Sequence, residues 1–544
     1  MSNLCIKSPK KKGLTSNVVH VIIHNMSYIV EQKRGNSIYL YEAVGYWDPQ
    51  KKQMRQKRKY LGKKDEVTGV AIKPRKEKEV RAIRDYGHIY LLETIAKEIG
   101  LGATLKKTFK EEINSIMGMA FFKVAEGKAC HLQSSWAEAQ YMDEEMHLSS
   151  SDISRLHKQL GKNSKARLEF FEKWIKKQKI KEGLFLDITS FSSYSEYLDF
   201  VEWGYNRDKE KLPQINLGMI QSVSEGMPLL YQTYPGSIAD ISTLKNVIKM
   251  TKGLKVNVST FVMDKGFYSI NNLEALKEAK CKFIIPLPFK VKAATELIIR
   301  SKQELNSPLN AFAFGGHTLF HYTEEIEIQG FKFQAHIYLD EKRRAEEIDR
   351  LFVRMDELET AVSKMRLVSR KEVEQAMEEI IKFSPSLYEI ILSVPGKVVL
   401  KRKKKAINKW INRFGKIILL TNNSKMTKEN ILQLYREKDE IEKLFKIIKN
   451  DLGEKRMRIQ TREAMEGKLF VTFIAVILYK CLAQKMRRAD LFKKYTVQKI
   501  FMELKKIRHI TMSSGNPYLT EITKKQREIF EKLDIPLPHP IPKN

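Results

Sequence analysis

The sequence predicts an α/β protein whose central layer is a mixed sheet, preceded by a small β unit and a helical module. Three observations carry that reading. Between residues 183 and 290, GLFLDITSF, QINLGMIQSV and PLLYQTY are β-like, and a helix, a strand (TFVMD), a helix (NNLEALKEA) and a strand (CKFIIPL) follow. From Arg81 to Ile180 there is no Pro, and Leu91, Leu92, Ile95, Ile99 and Leu101 recur at helix spacing. From Phe289 to Phe414 the layer is interrupted, and KIILLT at 416–421 then resumes the strand pattern.

Taken in order, residues 1–80 read as a basic tail followed by a small β unit. Lys10, Lys11 and Lys12 lie in the tail, and VVHVIIH, YIVEQ and SIYLYEAVGYW are β-like runs. Trp47-Asp48-Pro49-Gln50 is a turn signal before the basic stretch KKQMRQKRKYLGK, so a hairpin with a positive strand is expected. Residues 81–180 form the helical module and 181–290 the first part of the α/β layer. The interruption, 291–415, begins with the β-like piece FAFGGHTLFHYTEEIEIQGFKFQAHIYLD. Its second half lacks Gly and Pro to Ser384, and Ile348, Leu351, Met355, Leu358, Val362 and Met365 form a short heptad-like seam. The cluster KRKKK (401–405) closes it. Residues 416–487 complete the layer with helices near 427–451 and 462–487, and 488–544 is a basic helical tail ending in DIPLPHPIPKN.

Composition narrows the function. Of 544 residues, 98 are Lys or Arg and 65 are Asp or Glu, a net charge of +33 that calls for a polyanionic partner. Nucleic acid is the leading candidate, although charge alone also fits a membrane surface or an acidic protein. The longest apolar run, Leu469 to Tyr479, is short of the ~20 residues that span a bilayer. The N-terminus has no hydrophobic signal core. Cys5, Cys130, Cys281 and Cys481 lie far apart and form no CxxC pair, which argues against a zinc module or a disulfide scaffold and fits reduced thiols in a cytoplasm. His20 with His24, and His317 with His321, lie in β-like stretches without further zinc ligands. No GxxxxGK[ST] loop occurs, so a nucleotide cofactor is not expected.

Three acids occupy suggestive positions. Asp187 sits inside an apolar strand, where a carboxylate is costly unless paired or metal-bound. Asp264 ends the strand TFVM and precedes Lys265-Gly266-Phe267-Tyr268, a strand-end loop. Each alone also fits an ordinary turn or hydrogen-bonded acid. In the helix ILQLYREKDEIEKLFKIIKND, Tyr435, Lys438, Glu442 and Lys449 share a narrow stripe and Glu440 points away from it. By itself this stripe also fits a solvated face.

Together these residues resemble the DDE transposases of bacterial insertion sequences, of the insertion-sequence family four type. Tyr435, Lys438, Glu442 and Lys449 are similar to that group's Tyr-x2-Arg-x3-Glu-x6-Lys signature, FLDITSF to its first-acid strand and VMDKGFYSINNLEAL to its second-acid motif. The resemblance covers roughly residues 35–485. It implies an RNase H-like catalytic core interrupted by an insertion, with Asp187, Asp264 and Glu442 as catalytic metal ligands for Mg²⁺ (or Mn²⁺), as two ions about 4 Å apart. Tyr435, Lys438, Lys449 and Lys265 would contact DNA. Trp410 would either stack on a flipped base or join Ile411 and Phe414 in a packed helix face. Lys438 and Lys265 stand where the family usually has Arg, which keeps charge and loses the bidentate fork. The implied activity is cleavage of the mobile element's ends and transfer to target DNA by a homodimer, in the bacterial cytoplasm at the nucleoid. The two N-terminal modules would read the ends. A DNA-binding derivative without catalysis and a structure-specific RNase H-like nuclease are the alternatives.

Overall fold

The computed structural model describes residues 27–72, 79–178, 180, 183–208, 210–254, 256, 260–364, 369–381, 385–393, 397–513 and 515–540. The basic tail, VVHVIIH with His20 and His24, Cys5, Met365 and the last four residues lie outside them. The chain forms two compact units, one of residues up to 81 with 512–516 and one of 82–511 with 517–544.

The smaller unit is a four-stranded antiparallel sheet of β1 (Ser27–Arg34), β2 (Ser37–Asp48), β3 (Gln53–Lys64) and β4 (Ala71–Ile72). The Asp48 carboxylate accepts from the Gln50 and Lys51 N–H groups at 3.1 and 3.2 Å, which closes the expected turn. β3 carries Arg55, Lys57, Arg58 and Lys59 exposed, so the positive strand is present as read. Tyr60 packs against Tyr39 and Tyr41 across the pair.

In the larger unit, β5 (Val80–Asp85) is a strand where the sequence suggested helix from Arg81 onward. Its pairing is non-local, with one strand, Arg508–Met512, more than 400 residues away, which local periodicity does not encode. The helical module then follows as α1 (Gly87–Glu98), α2 (Leu101–Lys106), α3 (Ile113–Glu126), α4 (Gln133–Glu138), α5 (Ser150–Lys162) and α6 (Ser164–Lys177). Ser149 and Asp152 form a capping box that starts α5.

The central layer opens with β6 (Leu184–Ser192), β7 (Gln214–Ser222) and β8 (Pro228–Pro235), all antiparallel neighbours. α7 (Asp240–Gly253) leads to β9 (Thr260–Met263), and α8 (Ile270–Glu278) to β10 (Lys282–Pro286). β9 pairs parallel with both β6 and β10, so the order β8-β7-β6-β9-β10 is a mixed sheet. After α9 (Lys292–Arg300) come β11 (Ala311–Phe314), β12 (His317–Ile328) and β13 (Phe331–Leu339).

Segment 291–415 divides in two. β11, β12 and β13 extend the central sheet, because β13 pairs with β16 (Lys416–Thr421), which itself pairs with β10. The remainder, α10 (Glu341–Ser363), α11 (Arg370–Ile381), β14 (Tyr388–Ser393), β15 (Lys397–Arg402) and α12 (Lys404–Ile411), has its own small core. Leu351, Met355, Leu358 and Val362 of the heptad-like seam are buried in that core together with Tyr388 and Ile407.

The expected helix near 427–451 is nearly continuous but stepped. α13 (Lys428–Glu437) and α14 (Asp439–Lys446) meet at Lys438, and a π-helical turn, Ile447–Asp451, ends the run. α15 (Arg462–Arg488) is long and apolar enough to cross a membrane by length and composition, unlike the short run read from sequence. Yet 89% of its most apolar stretch is buried within the protein, so it is the core helix. It packs on α3, α5 and β8. Beneath it, Glu454 takes Lys123 of α3 at 2.5 Å and Lys468 of α15 at 2.7 Å, a buried triad joining the helical module to the central layer. α16 (Val497–Leu504), β17 (Arg508–Met512), β18 (Tyr518–Leu519) and α17 (Lys524–Lys532) complete the chain, with β5, β17 and β18 in one small sheet.

Candidate active site

Two of the three acids are neighbours because of strand register. Leu186 of β6 pairs with Met263 of β9, and both strands run the same way. One residue on, Asp187 therefore lies beside Asp264, on adjacent strands about 4.8 Å apart. β6 is buried along its length, and the Asp187 carboxylate accepts the Ile188 N–H at 2.8 Å. Asp264 is partly exposed at the strand end, where Phe267 N–H donates to its carbonyl to close a short 3₁₀ turn.

The third acid arrives from α14, which packs on β6 by burying Ile441, Leu444 and Phe445. Glu442 is left on the open side, while Glu440 turns away to pair with Lys443 and Lys480, as the helical stripe suggested. The Lys438 ammonium, buried at the step between α13 and α14, lies 3.1 Å from Glu442 Oε1 and 4.0 Å from Asp264 Oδ1. Burial works against that charge, but Asp187, Asp264 and Glu442 outweigh it and hold the lysine above its ordinary range. Burial pushes the Asp187 carboxyl up to about 6, against the pull of Lys438 and Arg207 and with the Asp264 charge adding to the rise. Tyr435, half-buried at the end of α13, is raised by burial and by Asp264, Asp439 and Glu442.

Three side chains at the site, Arg207, Asp240 and Asp208, were not singled out from the sequence. Arg207, in the loop before β7, donates to Asp240 at the start of α7. Burial raises Asp240 first, opposed by Arg207 and reinforced by Asp264. The turn Asp264-Lys265-Gly266 approaches α7, where a Cβ on Gly266 would stand 2.9 Å from Asp240 Oδ2 and displace that side chain. The same loop supplies Asp208, whose carboxylate receives Lys449 at 2.7 Å.

The remaining expected residues lie farther out. Lys265 is exposed beside Asp264. Trp410 is 36% exposed, and lines a cavity of about 390 Å³ with Phe289, Arg343, Arg350, Arg354 and Arg413. Ile407 of the same helix is buried in the small core, and Ile411 and Phe414 pack against that core. Burial and the charges of Arg344 and Lys302 lower Lys416 at this cavity to about 8, with Glu341 opposing.

Hard oxygen donors from three separate segments surround one cation, which suits a divalent metal in donor type and charge. Among the described residues, however, no three His, Cys, Asp or Glu side chains converge closely enough to hold one ion. The Lys438 ammonium bridges two of the acids, at 3.1 Å from Glu442 and 4.0 Å from Asp264, so the residues match a divalent metal in donor type while a lysine supplies the positive charge between them.

Acids drawn from a strand interior, a strand end and a helix are the kind of oxygen donor set that metal-dependent phosphoryl-transfer enzymes use. The profile of the transposase DDE domain matches residues 178–478, more than half of the chain and including all three acids, and the chain belongs to that family. No curated protein matches the chain. Among solved structures, it resembles the piggyBac transposase synaptic complex with hairpin DNA at 11% identity and a TM-score of 0.32, over 77% of this chain and 70% of that one. It also resembles the Drosophila P element transposase strand transfer complex at 13% identity and a TM-score of 0.15, over 74% of this chain and 89% of that one. Neither superposition reaches a common overall fold.

Proposed function

We propose that this DDE transposase cuts the ends of its own mobile element and joins them to target DNA, with Asp187, Asp264 and Glu442 as the catalytic acids. The observation that carries the reading is the gathering of these acids, from β6, the end of β9 and α14, around the single Lys438 ammonium. The order β8-β7-β6-β9-β10 supports an RNase H-like core. Bound at the acids, Mg²⁺ or Mn²⁺ would polarise the phosphate and lower the pKa of the attacking hydroxyl.

The residues' own tasks follow from their positions. In cleavage, a water oxygen bonds to phosphorus and the 3′-oxygen leaves. In joining, that 3′-hydroxyl attacks a target phosphodiester and another 3′-oxygen leaves. Asp187, the acid with the raised pKa, must lose its proton before it can serve as a ligand. Lys438 offsets the negative charge of the acids and would hold a DNA phosphate near them. Lys449, Lys265 and Tyr435 line the approach to the acids, and Arg207 holds Asp240 and the loop in position. The cavity at Trp410 has an aromatic face and four guanidinium groups, which suits a flipped nucleotide. The smaller β unit and the helical module read the ends, and two copies pair them. The enzyme acts in the bacterial cytoplasm at the nucleoid.

The test is a DNA cassette bounded by the gene's own flanking sequences, incubated with protein and Mg²⁺, comparing wild type with Glu442→Gln. We expect cuts at the cassette ends that require metal and vanish in the variant. Binding without cutting by wild type, with Mn²⁺ as well, would sink the catalytic reading in favour of a DNA-binding derivative.

A further inference from the structure

The loop between β6 and β7 carries a row of aromatic side chains that the catalytic reading does not use. Tyr194, Tyr197, Trp203 and Tyr205 are 60%, 76%, 68% and 84% exposed, while Leu198 between them is buried. The loop is held at both ends. Ser193 Oγ donates to the Met457 carbonyl at 2.9 Å, Asn206 Nδ2 to Ser192 Oγ at 3.0 Å, and the Arg207 N–H to Ser190 Oγ at 3.1 Å. In its middle, Glu202 and Gln214 exchange backbone hydrogen bonds at 3.1 and 2.9 Å. The aromatic rings are therefore outside by architecture, in a loop whose inward residues are already fixed. So much exposed aromatic surface in a dozen residues marks an interaction site.

Its surroundings indicate the occupant. Tyr194 also lines a cleft of about 920 Å³ whose walls include Lys158, Lys455, Arg456, Arg458 and His131. The Arg456 guanidinium lies over the Tyr194 ring at 5.3 Å and donates to its hydroxyl at 2.8 Å. Glu210 takes Lys455 and Arg456, but among the described residues no acidic side chain pairs with Lys158 or Arg458. The loop's far end supplies Arg207 and Asp208 to the acid site. A basic cleft and exposed rings, on a loop whose far end reaches the acid site, combine phosphate contact with faces on which bases stack. Paired bases hide their faces in the duplex, whereas unpaired ones offer them.

We propose that this aromatic loop and the adjoining cleft bind the unpaired nucleotides next to the cut site, with bases stacked on Tyr194, Trp203 and Tyr205 and phosphates held by Lys158 and Arg458. This is a separate site from the cavity at Trp410, and it rests on the DNA-cutting reading. The experiment uses the full chain without metal, so that nothing is cut. It compares a blunt duplex of the flanking sequence with the same duplex carrying a five-nucleotide tail containing 2-aminopurine. The tail should tighten binding about tenfold, within the range measured for base–aromatic stacking, and 2-aminopurine fluorescence should be quenched. Combined Tyr194→Ala, Trp203→Ala and Tyr205→Ala substitutions should abolish both effects and leave blunt-duplex affinity unchanged. The corresponding Phe substitutions should preserve them. The proposal is overturned if the tail brings no advantage, if the Ala variant retains it, or if that variant loses tailed and blunt binding equally. It is also overturned if the Ala variant changes only the oligomeric state, which would make the loop a contact between copies. If wild type binds neither DNA, the proposal and the reading beneath it fall together.

Discussion

Asp187 is the residue on which the site's pH behaviour turns. Its carboxyl is raised from 3.8 to about 6, so between those values the folded chain binds more protons than the unfolded one. Stability from this group is thus present at low pH and lost as pH rises through about 6, at a cost above that of about 3 kcal/mol. Asp187→Asn removes the cost. Without metal, the stability of the variant relative to wild type should increase by about 2 kcal/mol between pH 4.5 and 7.5, measured by urea unfolding at each pH. Equal differences at the two values would mean that Lys438 already compensates the buried charge. The variant should also lose DNA cutting, so the substitution that stabilises the fold would destroy the site. Asp187, Asp264 and Glu442 were legible as residues because each stands in a distinctive local sequence. Arg207 and Asp240 were not, since their pairing joins a loop to a helix 33 positions away.

Among the elements, the step between α13 and α14 and the π-helical turn after them matter most. A straight helix would put Lys438, Glu442 and Lys449 on one stripe; the observed run directs Lys438 and Glu442 to the acids and Lys449 to Asp208. Helical periodicity encodes which residues face the sheet, but not where a helix yields to packing. The segment after the π turn carries Glu454, wholly buried between Lys123 and Lys468. Burial opposes its charge, yet the two lysines hold the carboxyl below its ordinary range. Glu454→Gln strands both cations and should cost about 3–5 kcal/mol. A matching drop in the denaturant midpoint would establish the triad as the joint between the helical module and the central layer. A loss within about 0.5 kcal/mol would show that the lysines reach water instead.

At the scale of the whole molecule, the +33 charge makes the proposed DNA binding testable through its salt dependence. If six to ten phosphates are contacted, affinity should fall about 10³–10⁵-fold between 50 and 200 mM salt, readable by fluorescence anisotropy. A weak salt dependence would assign the charge to solubility instead. The sequence by itself determined the α/β class, the basic character and the heptad-like seam, and marked the three acids as candidates, because composition, periodicity and short motifs are local properties. Only the tertiary structure decided that β11, β12 and β13 extend the central sheet, that β5 is a strand, and that Lys438 stands among the acids. Those outcomes depend on pairing between distant segments, where register and burial select one partner among many that local pattern allows.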